Sequence, residues 1–259
     1  MAARRVLILG GTREGRVLAE ALVATPGVEV ISSLAGRVRA PVLPAGEVRI
    51  GGFGGTDGLQ KWLSDNVIDA IVDATHPFAA QITRNTAAAA RAAGVPALVL
   101  HRPPWTAQPG DSWISVDSLA AAARAVPTHG VSAFLTIGRQ GVEAFAGIDT
   151  VRFLIRAIDP PTGAVPARHE LLLERGPFTV EHEIDLLRRH RIDVLVTKNS
   201  GGALTEAKLA AARTCGIRVV MIERPALPDG VLVVHTPADV QAWLAMDSAQ
   251  RPDRGNGGR

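Results

Sequence analysis

Four consecutive apolar residues, Val6 to Leu9, run directly into Gly10-Gly11 and then into a segment with helical spacing. A run without polar alternation has no face to offer water, so it suits a strand covered on both sides, as in a parallel sheet. Gly10, Gly11 and Gly15 permit a tight turn with close backbone approach, and a helix over roughly residues 14–24 then starts with its unpaired N–H groups aimed past the turn. Such groups attract an anion, which makes the turn of Gly10, Gly11 and Gly15 a candidate phosphate site. The spacing departs from G-x-G-x-x-G, because Gly11 follows Gly10 directly and the next glycine is Gly15. Taken alone, the turn also describes a strand-to-helix joint without a ligand, the less favoured of the two readings.

A second apolar strand starts at Val28 and ends in Ser32-Ser33-Leu34-Ala35-Gly36-Arg37, where a dinucleotide fold reads the adenosine ribose. An NAD site places Asp or Glu there. This chain places Ser32, Ser33 and Arg37 there, two hydroxyls and a guanidinium with no carboxylate to repel a 2′-phosphate, so NADPH is the expected cofactor. By itself Arg37 reads equally as a solvated surface arginine.

Strands and helices alternate from there to residue 245, the pattern of parallel sheets covered by helices. The expected fold is α/β, with two Rossmann-like three-layer domains of mainly parallel sheets and a cleft between them. The proline-rich exit His101-Arg102-Pro103-Pro104-Trp105 and the polar Gln108 to Asp111 mark a crossing. It predicts a cofactor domain over 1–110, a substrate domain over 111–246 and a disordered polar tail over 247–259.

Further candidates follow strand ends, where open parallel sheets hold ligands. In the first domain these are Gly52, inside the turn Gly51 to Gly55, and His76, after the strand Val67 to Val72. In the second, Arg139, Arg175 and Lys198 each stand beside glycine or a glycine-rich loop at a strand exit. Singly each reads as a solvated charge. Together they suggest a pocket for a ligand with several carboxylates, in which Arg139, Arg175, Lys198 and Ser200 bind it and Lys198 or Ser200 donates a proton.

Composition excludes other classes. The single cysteine, Cys215, forms no internal bridge, and no Cys/His cluster has metal-ligand spacing, so no metal is expected. No apolar stretch approaches the ~18 residues a membrane span requires, and the first strand starts too early for a signal peptide, which points to the cytoplasm. A net charge of +3 with a pI near 9.7 suits a polyanionic partner. Nucleic acid fits less well, since there is no basic run and no tyrosine for stacking. Lack of tyrosine also excludes short-chain dehydrogenases, which need a Tyr/Lys pair. No Ser/His/Asp order, paired-acid motif or cysteine-nucleophile signature supports hydrolysis. Hydride transfer needs none of these, because the cofactor carries the chemistry. The pattern specifies no oligomeric state.

Four segments in this order, Leu9-Gly10-Gly11-Thr12-Arg13-Glu14-Gly15, Asp73-Ala74-Thr75-His76-Pro77-Phe78-Ala79, Ile137-Gly138-Arg139-Gln140-Gly141 and Val196-Thr197-Lys198-Asn199-Ser200-Gly201-Gly202, resemble the precorrin-6A reductase family of cobalamin biosynthesis. The resemblance implies NADPH-dependent reduction of one double bond of the precorrin-6A macrocycle to give precorrin-6B. It assigns Gly10, Thr12, Arg13, Glu14, Ser33 and Arg37 to the cofactor with His76 nearby, and Arg139, Lys198 and Ser200 to the polycarboxylate tetrapyrrole. A sister branch acts on the cobalt-containing substrate of the anaerobic route. A rival from another class is a non-catalytic module that senses NADPH or binds a polyanion.

Overall fold

The computed structural model describes residues 3–36 and 42–249, and the chain divides into two units. The first contains β1 (Arg4–Leu9), α1 (Arg13–Val23), β2 (Val28–Leu34), β3 (Glu47–Ile50), α2 (Gly55–Asp65), β4 (Ala70–Asp73), α3 (Ala80–Ala93) and β5 (Ala97–Leu100). The chain then crosses to the second unit, which contains β6 (Trp113–Val116), α4 (Leu119–His129), β7 (Ser132–Leu135), β8 (Arg152–Ala157), β9 (His169–Leu173), α5 (Val180–Arg189), β10 (Val194–Lys198), α6 (Ala207–Thr214) and β11 (Arg218–Ile222). It returns to the first with β12 (Leu232–Val234) and α7 (Pro237–Ala249).

The first sheet has the order β12-β5-β4-β1-β2-β3 and the second β6-β11-β10-β7-β8-β9, with every described pair parallel. Parallel neighbours need crossover connections, and here helices cover both faces. In the first unit the strand alternation sorts the core. Val6 and Ile8 of β1 pack with Leu18 and Leu22 of α1 and Val240 and Leu244 of α7. On the opposite face, Leu7 and Leu9 pack with Leu59 and Leu63 of α2 and Ala89 and Ala90 of α3. Each such buried aliphatic side chain stabilises the fold by about 1.5–3 kcal/mol. In the second unit, one face of the sheet carries Leu186 and Leu187 of α5 with Leu209 and Ala212 of α6 against Phe134 and Leu195. Two three-layer α/β units result.

The division differs from the one expected at residue 110 with 111–246 kept together. The first unit ends at Arg102 and resumes at Ala226, and Pro103 to Pro225 form the second. Each sheet takes its last strand from an unexpected place, β6 joining β11 at one edge and β12 joining β5 at the other. His101 N–H donates to Val234 O at 3.0 Å, and His235 Nδ1 lies 2.8 Å from His101 O, fastening the returning chain beside β5. Neither short strand carries a local signal for its sheet, because edge pairing is settled by which backbone groups remain unpaired. The final helix also runs through Ala249, past residue 247 where disorder was expected; residues 250–259 lie outside the described ones.

Candidate functional site

In each unit the parallel strands bring their carboxyl ends to one edge. At the first edge, Gly10 and Gly11 leave β1 and Thr12 caps α1, its Oγ1 accepting from Gly15 N–H at 3.1 Å and donating to Ala74 O at 2.7 Å. Gly15 packs closely on the turn after β4: a Cβ there would lie 3.3 Å from the Ala74 Cβ, so the neighbour would have to give by a few tenths of an ångström. Gly11 has φ +114°, and a Cβ on it would meet nothing within 4 Å, so the turn in front of α1 lies open. Arg13 is exposed there. Glu14 is engaged by Arg102, Oε2 to Nη1 at 2.8 Å, a partner too distant in sequence to anticipate.

Ser33 is buried near the end of β2, in register with Leu9 on one side and Arg49 on the other. Its Oγ accepts from Arg49 Nη1 at 3.3 Å. The same guanidinium donates to Gly51 O and Gly52 O, both at 2.6 Å, and lies 3.9 Å over the Phe53 ring. Arg49 lies in a short strand, and no local sequence signal sets it beside Ser33; only the register of β2 with β3 does. Arg37, the guanidinium expected here, lies outside the described residues. His76 is exposed, and its Nδ1 accepts from Phe78 N–H at 3.3 Å. Before it, the buried Asp73 receives Thr75 N–H at 3.0 Å and Thr75 Oγ1 at 2.6 Å, fixing the turn after β4.

An open glycine turn before a capped helix, beside a strand end with hydroxyls and a guanidinium, is an arrangement that can receive a phosphate group.

The second edge is built differently although five strands of the two sheets follow the same order. After β7, Gly138 leads into a 3₁₀ turn over Arg139–Phe145 rather than an α-helix, so no long helix dipole faces a ligand there. At the end of β8, Arg156 is 7% exposed, paired through both terminal nitrogens with the fully buried Glu183 and stacked 3.7 Å from Phe178. The place corresponding to Ser33 and Arg49 is thus closed by an internal ion pair. Arg139 has Asp159 at 4.0 Å, while Arg175 is exposed in the loop before α5. The edge therefore mixes acids with the bases that the sequence suggested.

Lys198 ends β10, and burial pushes its pKa below the ordinary lysine value. The following loop is held from several directions. Asn199 Oδ1 accepts from Trp105 N–H at 2.8 Å, and its Nδ2 donates to Trp105 O at 3.2 Å and Glu223 Oε2 at 3.3 Å. Arg224 donates to Asn199 O at 2.8 Å and Ser200 O at 3.0 Å. Gly201, at φ +68°, admits the Pro103 carbonyl, which would stand 2.0 Å from any Cβ. Ser200 Oγ donates to Lys198 O at 3.3 Å, folding its hydroxyl onto the loop. Replacing Asn199 by Ala strands the buried amide and carbonyl of Trp105. The expected loss is about 2 kcal/mol, read as a lower denaturant midpoint, with Asn199→Asp losing at least as much because its carboxylate would face the Trp105 carbonyl and Glu223.

The family model described as Precorrin-6x reductase CbiJ/CobK matches residues 5–245. The precorrin-6A reductase of Rhodococcus erythropolis is 60% identical over 240 residues, covering 93% of this chain and 97% of its own. A solved structure named CobK precorrin-6A reductase superposes with a TM-score of 0.87 at 43% identity, over 97% of this chain and 99% of its own. The cobalt-precorrin-6A reductase of Methanothermobacter thermautotrophicus is 30% identical over 242 residues, 85% of this chain and 76% of its own.

Proposed function

The chain belongs to the precorrin-6x reductase family, and from that premise we propose that it reduces one double bond of precorrin-6A to give precorrin-6B, with NADPH as reductant, in cobalamin biosynthesis. Likeness along nearly the whole chain to a relative named for this substrate carries the reading. The metal-free substrate is preferred to the cobalt form because the relative bearing the metal-free name is 60% identical, against 30% for the one bearing the cobalt name.

Gly10, Gly11, Thr12, Arg13, Glu14, Ser33, Gly52 and His76 hold the cofactor at the first edge, and Arg37 is retained as a candidate. Bound there, NADPH supplies a hydride to a ring carbon. Arg139 and Arg175 bind acetate and propionate groups by charge-assisted hydrogen bonds. Lys198 gives the neighbouring ring carbon its proton. Burial loosens that proton by bringing the ammonium nearer the working pH, which favours general acid catalysis. Ser200 is the weaker donor, since its hydroxyl bonds the Lys198 carbonyl. The hydride from the cofactor and the proton from Lys198, two hydrogens in all, would together convert C=C to CH–CH.

Purified protein should consume NADPH only when precorrin-6A is present, with a product two hydrogens heavier by mass spectrometry. Binding of both compounds with no consumption would establish the sensor instead. Faster turnover of the cobalt substrate would move the chain to the anaerobic route.

A further inference from the structure

We infer that Arg49, oriented by Ser33 and the Gly51-Gly52 turn, is the residue that recognises the 2′-phosphate of the dinucleotide. The inference rests on the NADPH reading of the first edge.

Arg49 lies in β3 directly in register with Ser33, at the sheet edge where the carboxyl ends of β1 and β2 open. A fold of this kind brings the adenosine ribose to the end of the strand next to β1. That strand is β2, and the cation nearest its end among the hydrogen bonds described is the Arg49 guanidinium, 3.3 Å from Ser33 Oγ.

Three hydrogen bonds and one ring contact set the orientation of this guanidinium before any ligand arrives. Nη1 donates to Ser33 Oγ and Gly51 O, Nη2 donates to Gly52 O, and the plane is stacked 3.9 Å from the Phe53 ring. Arginine has five N–H donors in a planar fork, so these three contacts leave donor capacity for an oxyanion. A side chain already fixed by its own loop loses little rotamer freedom when a phosphate binds. Side-chain-free backbone at Gly51 and Gly52 completes the arrangement, since a Cβ at either would meet nothing within 4 Å and the edge stays open. Gly52, read in the sequence as a cofactor contact, then acts through Arg49 by holding it.

A doubly charged phosphomonoester beside a ribose matches a guanidinium and a hydroxyl with no carboxylate between residues 32 and 36. Without that phosphate, the arginine loses its charged partner on the adenosine half.

Adenosine 2′,5′-bisphosphate and 5′-AMP, titrated calorimetrically against the intact chain, separate the phosphate from the rest of the nucleotide. Wild type should bind the bisphosphate more tightly. Arg49→Gln should weaken it by roughly 10–100-fold, the loss of a charged hydrogen-bond partner, while 5′-AMP stays within about twofold as evidence that the turn is still formed. Arg49→Lys should fall between, having charge without the planar fork. If Arg49→Gln leaves the preference intact, or Arg37→Gln removes it instead, the assignment of Arg49 is wrong while the NADPH reading stands. If wild type fails to discriminate the two probes, the NADPH reading fails with it.

Discussion

Lys198→Met is expected to lower kcat by about 10²–10⁴-fold, the usual contribution of a positioned general acid. Its melting temperature should move by no more than about 1 kcal/mol of stability would produce, because the surrounding loop is held by Asn199, Trp105 and Arg224 rather than by the ammonium alone. The pH profile supplies a second reading. The Lys198 pKa is lowered by burial, so the ammonium loses its proton at a lower pH than an ordinary lysine. If Lys198 gives the proton, kcat/KM falls on the alkaline side below pH 10.5, and Lys198→Arg moves that fall upward or removes it. For stability the slope has the same sign as for an acid held by an ion pair, since both have a pKa lowered on folding. Between the lowered native pKa and the unfolded one, the unfolded chain binds more protons, so the stability contribution rises with pH through that window. Below the native pKa the cost of burying the charge is fully present. Unchanged turnover and an unchanged alkaline limb in both variants would transfer the proton to another donor.

Glu183→Leu should destabilise the protein by about 3–5 kcal/mol, since it leaves the Arg156 guanidinium buried without its bidentate partner. Glu174 Oε2, at 3.9 Å, is too far to replace a direct hydrogen bond. At roughly 2–4 °C per kcal/mol for a chain of this size, the melting temperature should fall by on the order of 10 °C. The double variant Arg156→Met/Glu183→Leu should recover most of the loss, because a well-packed apolar pair incurs no charge-burial cost against Phe134 and Phe178. A double variant as unstable as the single would mean that packing, rather than the stranded charge, controls this corner.

The contrast between the two edges explains why part of the site was legible. Gly10-Gly11-Thr12 announced itself because a turn and a helix cap depend on residues three or four apart, and Thr12 bonds Gly15 as such a cap should. Lys198, Ser200 and Gly201 were legible for a similar reason, as a polar and glycine-rich loop after an apolar strand. Arg156 was passed over because a lone arginine at a strand end says nothing about the acid that will neutralise it. Glu183 comes from α5, 27 residues away. Arg49 escaped because its meaning lies in the neighbouring strand: only the β2–β3 register sets its guanidinium beside Ser33.

The alternation of apolar runs with helical segments by itself determined that this chain forms parallel sheets under helices, because strand and helix periodicity, glycine turns and caps are local and act within a few residues. Tertiary structure alone decided which sheet received β6 and β12 and which charges were neutralised. Those outcomes depend on unpaired backbone edges and on side chains far apart in sequence, whose energies exist only once the strands have met.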